Sequence, residues 1–193
     1  MAGRKRSPSA GAPQQYVALL RGINVGGKNK LPMADLSAMF TAAGCDAVRT
    51  YIQSGNVLFE ASTAVAEGVP GRIAGAIAER FGYRIPVVMR TGGELSAVLR
   101  GNPFLAKGAD PDLLHVAFLA DAPAAGRVEK LDPGRSPPDE FLVREREIYL
   151  CCPNGMARTR ITNAWLDTTL ATISTVRNWR TVETLAGMAK LGG

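Results

Sequence analysis

Tyr16-Val17-Ala18-Leu19-Leu20-Arg21 is an unbroken apolar run that ends on a charge, the pattern of a short buried strand. Beyond it the spacing turns helical. Met33, Leu36, Phe40 and Ala43 recur at steps of three and four, Pro32 suits a first helical turn, and Gly44 ends the run. Two β-rich runs follow, residues 47–52 and 56–60, and the Gln53-Ser54-Gly55 between them supplies a glycine for the positive φ of a tight turn. Ile73, Ile77 and Phe81 predict a second helix opened by Pro70, and residues 86–90 a fourth strand. The order is βαββαβ.

In the split βαβ arrangement this order predicts, strands one and two run parallel through a right-handed helical crossover and strand three pairs antiparallel between them. The loop after strand one, residues 22–31, and the turn at 53–55 then emerge at the same end of the sheet and line one polar mouth. A glycine- and proline-rich linker, residues 101–112, leads to a second set: a strand at 113–119, a helix over about 123–131, strands at 140–144 and 147–151, and two closing helices. The last helix carries Trp179, Val182, Ala186 and Ala189 on one face. The expected fold is α+β, with two ferredoxin-like halves (βαββαβ over 16–100, βαββα over 113–193) built on mainly antiparallel sheets. No sequence repeat accompanies the two halves, and residues 1–15 are expected to be a disordered basic tail.

Composition narrows the function classes. A hydrophobic content of 46% over 193 residues is ample for a packed core. No apolar run approaches the ~18 residues of a membrane span, and the N-terminus has no apolar stretch to act as a signal sequence. These features, with three cysteines in no paired spacing, predict a cytoplasmic protein with free thiols and no structural zinc. The net charge of +6 owes three cations to Arg4, Lys5 and Arg6; the rest of the chain has 20 Lys and Arg against 17 Asp and Glu. So small a surplus does not mark a nucleic-acid binder, although a local patch remains compatible with one.

The candidate chemistry centres on the loop Arg21-Gly22-Ile23-Asn24-Val25-Gly26-Gly27-Lys28-Asn29-Lys30. Gly22 to Lys28 fits the phosphate-loop pattern G-x-x-x-x-G-K-[ST] except at its last place, where Asn29 replaces the hydroxyl that would hold magnesium. Pro32 also cannot donate the amide bond that a helix starting at Gly27-Lys28 would require. A looser anion site survives both objections, because glycines let backbone amides approach an anion while Arg21, Lys28 and Lys30 supply charge. The alternative is a turn shaped by Gly22, Gly26 and Gly27 with solvated lysines. Gln53, Ser54 and Asn56 add donors and acceptors beside the loop, or else serve ordinary turn chemistry.

The segment from Cys151 to Asn163 holds Asn154, Arg158 and Arg160 before a helix that Thr162 can cap, a second possible anion site. Trp179, after Arg177 and Asn178, reads as a core anchor. His115, the single histidine, sits in an apolar strand pattern that favours structure over general-base work. Cys151 or Cys152 would be a nucleophile only if nearby arginines lowered its pKa. No catalytic constellation is recognisable, and no cofactor is indicated.

Together the blocks Ala18 to Asn29, Tyr51-Ile52-Gln53-Ser54-Gly55-Asn56-Val57, Pro153-Asn154-Gly155 and Arg177-Asn178-Trp179 resemble the bacterial family called domain of unknown function 1697, from about Tyr16 to the C-terminus. The resemblance implies an α+β architecture with ferredoxin-like parts and supplies neither substrate nor catalytic residues. One departure is Ala157, where the family pattern has glycine, which narrows the backbone conformations open to that loop. The reading that results is a binding protein whose mouth, built from Arg21, Asn24, Gly26, Gly27, Lys28, Gln53, Ser54 and Asn56, takes a small anionic, phosphate-bearing or nucleotide-like ligand. Asn154, Arg158 and Arg177 are expected to join from the second half. Two alternatives use the same loop: phosphoryl or nucleotidyl transfer, with Asp121 or Glu60 holding a metal, and nucleic-acid binding.

Overall fold

The structure is a computed structural model that describes residues 12–190. Its first half runs β1 (Gln14–Leu20), α1 (Met33–Ala42), β2 (Asp46–Tyr51), β3 (Asn56–Ala61), the short α2 (Thr63–Ala66), α3 (Val69–Phe81) and β4 (Val87–Thr91). Helices α4 (Gly92–Gly101) and α5 (Pro103–Ala106) lead into the second half: β5 (Leu114–Leu119), α6 (Ala125–Val128), β6 (Glu140–Arg144), β7 (Glu147–Cys151), α7 (Asn163–Leu170), β8 (Ser174–Asn178) and α8 (Trp179–Lys190). The sheets have the orders β2-β3-β1-β4 and β6-β7-β5-β8, with every pairing antiparallel. The fold is α+β, two ferredoxin-like halves with antiparallel sheets, and β1 and β2 run parallel on either side of β3.

β1 is a continuous apolar run because both its faces are covered. Tyr16, Ala18 and Leu20 pack with Leu36 and Phe40 of α1 and Ile73 and Ile77 of α3, whereas Val17 and Leu19 face a second core. That second core lies between the halves and joins Leu95 and Val98 of α4, Val116 and Phe118 of β5, and Trp179, Val182 and Leu185 of α8. Ala117 and Leu119, on the other face of β5, pack with Leu166 and Leu170 of α7. Each central strand therefore serves two cores, and the middle one is shared.

Four expectations need correction. The second half is a complete βαββαβ unit, because Ser174–Asn178 forms a fourth strand, β8, beside β5. The helix expected over about 123–131 is confined to Ala125–Val128. Helix α4, not foreseen, opens with a capping box in which Thr91 and Glu94 satisfy each other's backbone amides, and the segment read as a linker places Phe104 in the shared core. The basic tail expected over 1–15 lies outside the described residues as far as residue 11, and Gln14 and Gln15 belong to β1.

The halves hold each other through one repeated device. Arg90 is the fourth residue of β4 and pairs with Val17; Arg177 is the fourth residue of β8 and pairs with Val116. Nη2 of Arg90 donates to the carbonyl of Leu119, the last residue of β5, at 2.8 Å and to that of Arg146, just before β7, at 2.8 Å. Nη2 of Arg177 donates to the carbonyl of Leu20, the last residue of β1, at 2.7 Å and to that of Gly55, just before β3, at 3.3 Å. Each arginine thus crosses from an edge strand of its own half into the strand ends of the other. Nη1 of each also donates to the carbonyl of the preceding residue, Met89 or Val176, so a backbone acceptor on each sheet edge is occupied.

Candidate functional site

The charge balance of the two ties differs at one position. Nε of Arg90 donates to the carboxylate of Glu147, the first residue of β7, at 2.7 Å. The equivalent residue, first in β3, is Asn56, and Nε of Arg177 donates to its neutral Oδ1 at 2.6 Å. Arg177 is therefore a buried guanidinium, 8% exposed, whose hydrogen-bond acceptors are all uncharged. Burial without a compensating carboxylate pulls its pKa down to about 10. It remains protonated at neutral pH and contributes positive potential to the space above it.

That space is a cleft of about 410 Å³ between the halves, walled by Arg21, Gly22 and Ser54 on one side and by Asn163, Thr175 and Asn178 on the other, with Arg177 in its lining. Nη1 of Arg21 donates to Asp167 at 2.6 Å and to the carbonyl of Ser174 at 2.8 Å. The same carboxylate accepts from the Ser174 amide and hydroxyl. Nε and Nη2 of Arg21 have no acceptor among the described residues. The amide oxygen of Asn163 accepts from Ser174 Oγ, and that of Asn178 caps α8 by accepting from the Thr181 amide at 2.8 Å. Among the described residues neither Nδ2 group has an acceptor, so Arg21, Asn163 and Asn178 all keep unpaired donors in the lining of the cleft.

The glycine-rich loop forms the outer wall and folds on itself. The Lys28 amide donates to the Val25 carbonyl at 3.0 Å and the Asn24 amide to the Asn29 carbonyl at 3.2 Å. Gly26 and Gly27 form the tip at φ +57° and +75°, positive at both central positions, which explains two glycines there. A phosphate loop needs free amides running into a helix, whereas here the Lys28 amide is engaged and α1 begins at Met33, so the P-loop resemblance is one of sequence alone. Asn24 staples the loop: its Nδ2 donates to the carbonyls of Leu31 and Gln53 and its Oδ1 accepts from the Leu31 amide. This bond to Gln53 puts the loop beside the β2–β3 turn.

The predicted mouth is thereby divided. Arg21, Ser54 and Arg177 meet in the cleft, with Arg177 as a buried tie rather than a solvent-facing anion ligand. Asn24, Gly27 and Gln53 line a separate depression on the outer flank of the loop, with Lys30. Gly26 and Lys28 are exposed at the tip, and Asn56 is fully buried behind the turn, donating to Tyr51 and Ser54. Asn154 and Arg158 sit on the exposed turn after β7 and do not line the cleft. Asp121 lies in the cleft on the Arg90 side with Gln14 and Arg146, and Glu60 is paired with Gln15 at the start of β1. Glu60 is thus at the end of β1 remote from the loop, and Asp121 lines the Arg90-side pocket rather than the pocket on the flank of the loop.

Four of the cleft residues that sequence reasoning did not single out bear on its chemistry. Asn163 and Asn178 are legible only as helix-terminus residues, and Val25 and Ile52 as ordinary loop and strand positions. Val25 is 62% and Ile52 51% exposed, and both line the cleft. The cysteines are not activated: burial and the nearby Asp139 push Cys152 up to about 12, and burial and Glu140 raise Cys151. Burial lowers the pKa of His115, which is placed against the Leu113 carbonyl at 3.3 Å and away from the cleft.

Fold and site together define a duplicated ferredoxin-like protein with a donor-rich cleft where its halves meet. A family model matches residues 14–149, and the chain belongs to that family, described as "Protein of unknown function (DUF1697)". The fold is similar to that of the conserved bacterial protein SP0830 from Streptococcus pneumoniae, with a TM-score of 0.71 and 24% identity over 92% of this chain and 99% of that one. Comparison with curated proteins gave no match. Among the described residues, no helix is long and apolar enough to cross a membrane, and no three His, Cys, Asp or Glu side chains are grouped to hold a metal ion.

Proposed function

We propose that this protein binds a small anionic, phosphate- or carboxylate-bearing ligand in the cleft between its halves. The observation that carries this reading is the set of unpaired donors on the wall. Arg21, Asn163 and Asn178 keep free N–H groups, and Arg177 adds a buried positive charge that no carboxylate neutralises. Such a site complements a ligand that only accepts hydrogen bonds and carries negative charge. Arg177 itself is saturated and acts through its field; the direct contacts fall to Arg21 and the two asparagines. Binding rather than phosphoryl transfer is the activity favoured here, because Asp167, the carboxylate that borders the site among the described residues, is consumed by Arg21 and Ser174. The three free cysteines suit a reducing compartment, the cytosol.

Thermal-shift screening with inorganic phosphate, nucleotides and small carboxylates tests the reading. A ligand at one hundred times its Kd stabilises by about 2.7 kcal/mol, which for a chain of this size raises Tm by roughly 5–11 °C. Arg21→Gln and Asn178→Ala should each cut that shift by more than half. If no anion shifts Tm, the reading is wrong. If only polynucleotides do so, with affinity falling steeply as salt rises, a nucleic-acid interface replaces it.

A further inference from the structure

The two halves share one frame, so whatever one mouth has beyond the other stands out. On the Arg90 side β5 connects to α6 through residues 120–124, and β6 to β7 through the two residues Glu145 and Arg146. On the Arg177 side the equivalent connections are residues 21–32 and the four residues 52–55. Both elongated segments border the same cleft, and each brings one exposed aliphatic side chain to its rim, Val25 from the first and Ile52 from the second. With Leu142 and Ile173 they are the large hydrophobic residues exposed in the described chain.

Ile52 is costly where it stands. Its φ is +48°, in the left-handed region that a β-branched residue rarely occupies, whereas Asn or Gly would fit there with little strain. The same side chain is 51% exposed to water, so packing does not repay the strain. Folding alone gives no reason for an isoleucine at this position. A molecule seated in the cleft does.

Resting on the anion-binding reading, we propose that the ligand is amphipathic: a phosphate or carboxylate carried on a compact apolar body such as an aryl group. Its charged end meets Arg21, Asn163 and Asn178, and its apolar end covers Val25 and Ile52. A cleft of about 410 Å³ lies within the range that holds molecules of this size. Ile52 is then a specificity-determining residue, held in a strained backbone conformation that keeps its side chain at the rim.

The experiment is titration calorimetry of the full chain with phenyl phosphate, benzoate, inorganic phosphate and benzyl alcohol, repeated on Ile52→Asn. Phenyl phosphate should bind at least about tenfold more tightly than inorganic phosphate, a ratio equivalent to about 1.4 kcal/mol. In Ile52→Asn the ratio should fall to within about threefold while Tm without ligand stays level or rises. Equal affinity for phenyl phosphate and inorganic phosphate would overturn the amphipathic ligand and leave the anion site standing, as would an undiminished preference in the variant. Benzyl alcohol binding as well as phenyl phosphate would overturn the anion site, and with it this inference. Benzoate distinguishes the head groups: matching phenyl phosphate, it makes the carboxylate as good a head group; failing to bind, it restricts the ligand to phosphate. Absence of binding by all four would overturn both proposals.

Discussion

Replacing Arg177 with methionine removes the tie that the second half sends into the first while keeping a side chain of similar reach. Four of its hydrogen bonds are 2.9 Å or shorter, to Asn56, Leu20, Thr175 and Val176, and the bonds to Asn56 and Leu20 cross between the halves. Stranding those two buried acceptors costs about 1–3 kcal/mol each. Removing a buried guanidinium that lacks a counter-ion returns part of that, so the net loss should be about 2–4 kcal/mol, or a fall in Tm of roughly 5–15 °C. Urea unfolding followed by tryptophan fluorescence measures it directly, since Trp179 is two residues away and only 1% exposed in the shared core. A single transition with an unchanged slope is expected, because that core couples the halves. Arg90→Met should cost more, as it also strands the Glu147 carboxylate, whose side chain is 14% exposed. A loss below about 0.5 kcal/mol for Arg177→Met, or the reverse order of the two variants, would refute the account of Arg177 as an unneutralised tie.

Two further outcomes follow from local geometry and burial. Gly55 combines φ +79° with a site where an added Cβ would lie 2.8 Å from Leu20 Cβ, so Gly55→Ala should destabilise by roughly 2–4 kcal/mol in the same urea assay. His115 has its pKa lowered by burial, with a partly opposing contact to the Leu113 carbonyl; the unfolded chain thus binds the proton more readily, and stability is expected to fall as pH drops below the unfolded value of about 6.5 and to level off below the folded value. His115→Gln should flatten that part of the pH–stability curve.

The first half was legible because its elements obey simple rules: a run buried on both faces, apolar residues at helical spacing, and a glycine turn between two β-rich runs. β8 was not, because Ser174, Thr175 and Arg177 look polar in a list of residues, and only the fold shows that all three are buried and hydrogen-bonded. Helix α4 left a signal in Thr91 and Glu94 with Leu95 and Val98, obscured by Gly92 and Gly93 at its start. The duplication left only a faint trace, Val17-Ala18-Leu19-Leu20 against Val116-Ala117-Phe118-Leu119, too short to separate from chance strand composition. At the candidate site, topology brings Arg21 and Ser54 to one cleft, as the element order predicts. The asparagines could not be sorted from sequence because side-chain amides serve loop stapling and ligand binding equally well; only the fold shows that Asn24 and Asn56 spend theirs on the loop and the turn.

The exchange of arginines gives this single chain the contact logic of a symmetric dimer, in which a group on one unit reaches a site on the other and is answered in kind. Perfect reciprocity would force the two mouths to be chemically alike. Here one substitution in the repeated frame, an amide at 56 against a carboxylate at 147, leaves one latch electrically closed and the other with charge to spare. A frame of this kind can keep one interface as a fastening and free its counterpart to evolve as a receptor, without altering either fold.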